Sequence, residues 1–128
     1  MRVAFPTYGD RGLEDEICSH FGRAPTFTIV DLEAGNVRVR VIPNTSEHMG
    51  GIGLPPELLA KEGVSVLVCS NLGPRAVQMF QSFGIKVYIG AFGKVKDALE
   101  AWQKGLLQEA SEFTACPEHG HGHGHFHF

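Results

Sequence analysis

Apolar positions fall into two periods along this chain, one of two residues and one near 3.6. Val3-Ala4-Phe5 reads as a short, largely buried strand ended by Pro6. Thr26 to Leu32 alternates β-branched and aromatic residues, a strand signal, and Ala34-Gly35-Asn36 supplies turn chemistry. Val37, Val39 and Val41 alternate with Arg38 and Arg40, which predicts a half-exposed strand with one buried face, paired to its predecessor as an antiparallel hairpin. Val64 to Cys69 is a near-continuous apolar run, the mark of a buried parallel strand, and Ile85 to Ile89 reads as the last strand.

Three helices are expected. Pro55 and Pro56 suit a first helical turn, with Glu57 at its positive end and Gly63 as C-terminal cap. A second helix follows Gly73-Pro74, with Ala76, Val77, Phe80 and Phe83 on its apolar side. The third carries Val95, Ala98, Leu99 and Trp102 at helical spacing and stops at Gly105. Phe83 and Trp102 are read as core residues.

The order β, β, β, α, β, α, β, α fixes the class. It implies an α/β protein with a mixed five-stranded sheet, an antiparallel meander fused to βαβ crossovers. The ribonuclease H-like, three-layer arrangement with strand order 3-2-1-4-5 satisfies it. A flavodoxin-like sheet does not, because it needs a helix after the first strand. The expected domains are 1–110 as the folded unit and 111–128 as a flexible tail.

Composition narrows the partners. The chain has 128 residues, 43% hydrophobic, with formal net charge −3, which suits one folded domain and offers no basic surface for nucleic acid. It has no apolar run of membrane-spanning length, and its first residues do not read as a signal peptide. Three widely spaced cysteines, Cys18, Cys69 and Cys116, argue against a disulfide framework and for a reducing cytoplasm.

Candidate chemistry is concentrated in loops. Cys18-Ser19-His20-Phe21-Gly22 sets a thiol and an imidazole two positions apart, a pairing that favours borderline-soft metals. On the pentapeptide alone, an ordinary loop with a half-buried cysteine is the better account. Ligands of such sheets sit beyond the carboxyl ends of the parallel strands. The connection 7–24 leaves from there, and the loop 44–53 should reach the same edge, so Cys18, His20, His48 and Cys69 could converge on one rim. Gly51 and Gly53, ahead of a helix, could let an anion approach. Neither the dinucleotide fingerprint nor the P-loop is present, since Pro56 replaces the former's third glycine and no Lys-Ser or Lys-Thr follows.

Nuclease chemistry is poorly supported. The first strand carries no acid, and Asp10, Glu14, Asp15 and Glu16 read as solvated charge. No Gly-x-Ser-x-Gly marks a nucleophile elbow. The tail is a second signal. Cys116 is followed by His119, His121, His123, His125 and His127, alternating with Gly or Phe. Alternate residues of an extended chain share a side, so five imidazoles could bind a transition metal ion. Such binding should weaken below about pH 6, where histidine protonates.

With these pieces in place, the chain resembles the dinitrogenase iron–molybdenum cofactor-binding family over about residues 1–110. The likeness is carried by Ser19-His20-Phe21-Gly22-Arg23-Ala24, Phe27-x-Ile29-Val30-Asp31, Asn44, the glycines 50, 51 and 53, Ala60-Lys61-Glu62-Gly63-Val64, Gly73-Pro74-Arg75-Ala76, Gly84-Ile85-Lys86-Val87 and Gly105-Leu106-Leu107. The resemblance implies a ribonuclease H-like fold without nuclease activity and binding of an iron–sulfur or iron–molybdenum cluster or its precursor. It implies His20 as a ligand, with Cys18 as a neighbouring candidate.

Ferredoxin-type clusters are usually held by four thiolates. Three cysteines with no close pair suit a carrier that releases its cargo. The leading expectation is a non-enzymatic cytoplasmic carrier working between metallocluster donor and acceptor proteins, with a homo-oligomer left open. The alternatives are a zinc, nickel or copper protein acting through the tail, and a regulatory interaction module without cargo.

Overall fold

The computed structural model describes residues 1–46, 51 and 53–111. The strands are β1 (Arg2–Thr7), β2 (Thr26–Glu33), β3 (Asn36–Pro43), β4 (Val66–Val68), β5 (Lys86–Ile89) and β6 (Gln108–Glu109). The helices are α1 (Pro55–Lys61), α2 (Pro74–Ser82) and α3 (Val95–Gln103). One sheet runs in the order β3-β2-β1-β4-β5-β6. β1 pairs antiparallel with β2 and parallel with β4, and β4 pairs parallel with β5. This is the mixed sheet and strand order that the sequence leads one to expect, with one strand more.

The alternation of side chains along the strands sorts the core onto two faces. Ala4, Phe27, Ile29, Leu67 and Val87 meet Leu59 of α1 and Ala76, Val77 and Phe80 of α2. Val3, Phe5, Val30, Val66 and Val68 meet Val95, Ala98 and Leu99 of α3. The result is three layers with the sheet in the middle. Gly63 follows α1 with φ +76, the left-handed geometry that a β-carbon disfavours.

Four expectations need correction. The sheet has a sixth strand, β6, which carries no sequence signal, because two exposed residues held to β5 by backbone pairing leave no hydrophobic pattern. Pro6 does not end β1. Its carbonyl faces the flank where β4 has already stopped, and there it accepts from Cys18 N–H, so the missing proline donor costs no strand pairing. Val37 and Val39 do not form a buried face, since β3 is the sheet edge and Val37 is 53% exposed. Phe83 caps the end of α2 and is 43% exposed, leaving Val77, Phe80 and Ile85 to fill the core there. Trp102 is half-buried, edge-on to Tyr88 at 6.1 Å. Among the described residues, no helix is long and apolar enough to cross a membrane.

Candidate functional site

The strand register gathers four loops at one edge of the sheet. Thr7, the last residue of β1, lies opposite Thr26, the first of β2, and Thr26 lies opposite Pro43, the last of β3. β4 and β5 run parallel to β1, so their carboxyl ends point the same way. The segments 8–25, 69–73 and 90–94, and the described start of the next connection at 44–46, therefore leave from this rim.

The segment 8–25 is pinned along its length. Cys18 N–H donates to Pro6 O and Ile17 N–H to Gly93 O, both at 2.8 Å. Ile17 and Cys18 thus occupy the place beside β1 that β4 leaves free. Asp15 is fully buried, which corrects its reading as solvated charge. Its carboxylate accepts from the backbone N–H of Glu16 at 2.8 Å and of Arg11 at 3.1 Å, and the Arg11 guanidinium lies at 3.5 Å. Fixed dipoles and one charge thereby compensate the burial. Asp15 O in turn accepts Val95 N–H at the start of α3. No apolar pattern in the sequence announces this role.

The candidate ligands sit on the next few residues. Phe21–Arg23 is a single 3-10 turn closed by Arg23 N–H to His20 O at 2.9 Å. Phe21 is buried, with ring centroids 5.5 Å from Phe27 and 5.6 Å from Phe80. This ring anchors the turn in the core, while His20 and Arg23 remain exposed. Among the described residues, no hydrogen bond engages the His20 imidazole. Cys18 is 3% exposed, and its thiol donates to the His20 carbonyl at 3.3 Å. The two candidates are therefore linked through the backbone, with the imidazole outside and the thiol beneath.

The second loop is tied to the first by Asn44. Its backbone N–H donates to Pro25 O at 2.9 Å and its side-chain amide to Ala24 O at 2.8 Å. Its Oδ1 accepts from Ser46 N–H and Oγ. Gly51 N–H donates to Ser46 O, and a β-carbon on Gly51 would collide with the Thr45 carbonyl. The chain's own packing thus accounts for glycine at 51. Gly53 has φ +84 and leads into α1. His48 lies outside the described residues, as do Cys116, His119, His121, His123, His125 and His127.

Cys69 follows β4 but belongs to the core, 1% exposed in the cluster that holds Phe21. Burial pushes its thiol up from 9.0 to about 12, so it stays protonated where a ligand would have to be a thiolate. Among the described residues, no three His, Cys, Asp or Glu side chains are grouped to hold a metal ion. His20 presents an exposed imidazole at this rim, and among the described residues no closed cage of donors is formed. Phe92, 82% exposed, stands on the same rim in the loop that receives Ile17.

Several known proteins are similar to this chain. A family model described as dinitrogenase iron–molybdenum cofactor matches residues 1–105. An uncharacterised protein of Methanocaldococcus jannaschii is 30% identical over 112 residues, 85% of this chain and 91% of that protein. The apo form of the orange protein from Desulfovibrio gigas is 30% identical, with a TM-score of 0.72 over 85% of this chain and 92% of its own. An NMR structure of a proposed NifB protein from Thermotoga is 33% identical, with a TM-score of 0.67 over 93% of this chain and 98% of its own.

Proposed function

This chain belongs to the dinitrogenase iron–molybdenum cofactor family, and from that premise we propose that it binds and carries a metallocluster. The cargo is an iron–sulfur or iron–molybdenum cluster or its precursor, taken from a donor protein and passed to an acceptor without chemical conversion. The carrying observation is the His20 imidazole, exposed at the ligand edge on a turn that the buried Phe21 ring fixes. A single protein ligand suits a cargo that must leave again. Cys18, two positions before His20 and shielded, is the secondary candidate. One of the similar structures is described as an apo form, and a cargo-bearing form is proposed here for this chain. The unpaired thiols of Cys18 and Cys69 suit a reducing cytoplasm.

Anaerobic titration of the full chain with a cluster donor, followed by absorption and EPR, tests the reading. The wild type should develop cluster signals that His20→Ala loses. Equal signals in both proteins would remove His20 from the site.

A second reading rests on the five alternating histidines between His119 and His127, with Cys116 ahead of them. It assigns mononuclear zinc, nickel or copper binding to the tail. Deleting residues 116–128 should then abolish most uptake of free metal ions and spare cluster binding at His20.

A further inference from the structure

We infer that Arg23 is a second contact for the cargo, and that the docked cargo is an anion. This rests on the reading that His20 meets the cargo. His20 is the residue that enters the 3-10 turn and Arg23 is the residue that ends it, and Arg23 N–H donates to His20 O at 2.9 Å. Phe21 is buried from the same turn, while His20 and Arg23, on either side of it, are both exposed. Three other arginines are engaged with carboxylates. Arg2 pairs with Asp31 at 2.7 Å, Arg11 with Asp15 at 3.5 Å and Arg40 with Glu62. Arg23 has no ion pair among the described residues.

An unpaired surface arginine alone would mean little. Its place one 3-10 turn from the candidate ligand is what gives it a role. A guanidinium offers a planar fork of N–H donors and a permanent positive charge, suited to sulfide, oxo or carboxylate groups on a cluster's outer face. The same charge repels an aquated divalent cation. Arg23 therefore selects an anionic cluster over a free metal ion at this rim, which His20 alone would not do, since imidazole takes either.

The test uses the full chain and two probes under anaerobic conditions, a synthetic dianionic four-iron cluster capped by small thiolates and zinc ion. Affinity is measured against potassium chloride concentration. Arg23→Gln should weaken cluster binding by about three- to tenfold, the scale of one exposed charge-assisted contact, and flatten its salt dependence. Arg23→Glu should weaken it further, Arg23→Lys should restore most of the salt dependence, and zinc affinity should not fall in any of them. If Arg23→Gln and Arg23→Glu keep wild-type affinity and salt dependence while His20→Ala loses the cluster, Arg23 is no contact, though His20 stands. If His20→Ala also binds normally, both readings fall.

Discussion

Asn44 donates its side-chain amide to the carbonyl of Ala24 at 2.8 Å, and this bond joins the two loops that frame the rim. Asn44 is itself buried, so its remaining polar atoms are satisfied internally, by Pro25 and Ser46. Asn44→Ala removes the amide and strands the Ala24 carbonyl and the Ser46 N–H. Leaving buried partners unmet costs about 1–3 kcal/mol. Urea denaturation should show a lower midpoint with an unchanged slope, and the Ser46 amide should exchange faster. An unchanged midpoint would mean that the loops hold together without Asn44.

Phe21 should matter to binding as well as to stability. Its ring packs on Phe27 and Phe80, and the turn that bears His20 has no other large buried side chain. Phe21→Ala should cost about 3–5 kcal/mol. Phe21→Leu should retain the fold by circular dichroism yet bind cluster more weakly, because a flexible aliphatic chain fixes the turn less well. Wild-type cluster affinity in Phe21→Leu would show that the ring does not position His20.

Asp15 is a comparable anchor on the other side of Cys18. Asp15→Ala leaves the N–H groups of Arg11 and Glu16 without their acceptor, at a cost of about 1–3 kcal/mol. Hydrogen exchange at Ile17 and Cys18, whose amides reach Gly93 and Pro6, should quicken. Protection equal to the wild type would assign the order of this segment to its backbone bonds alone.

Cys69 makes a prediction about alkaline stability. Burial raises its thiol from 9.0 to about 12 in the folded protein. Between those values the unfolded chain binds fewer protons than the native one, so this group's contribution to stability is intact below 9.0 and falls as pH rises. Cys69→Ala should therefore lose less stability than the wild type between neutral pH and about pH 10, whatever its starting loss from the cavity. Parallel declines in urea midpoint would show that the thiol is not shielded.

The strand order was legible because pattern and topology agree. Three strand signals precede the first helix, and the buried run around Val66–Val68 demands cover on both faces. What escaped was written in backbone rather than side-chain pattern. β6 pairs through two exposed residues, and Pro6 stays in β1 because β4 ends first. Asp15 looks like its acidic neighbours in sequence, and only the backbone N–H groups that surround it explain its burial. At the rim, the sequence singled out Cys18 and His20 together, but proximity along the chain does not tell which side chain turns inward. The structure separates them, with the thiol under the turn and the imidazole outside. Cys69 shares the strand-end position of a ligand yet lies in the apolar core.

The most direct measurement is metal and acid-labile sulfide analysis of the full chain purified anaerobically from its native host, beside His20→Ala prepared in the same way. Iron and sulfide together, with or without molybdenum, should accompany the wild type and be lost from the variant. Metal without sulfide in the wild type, or the same iron and sulfide content in both proteins, would contradict a cluster carried on His20.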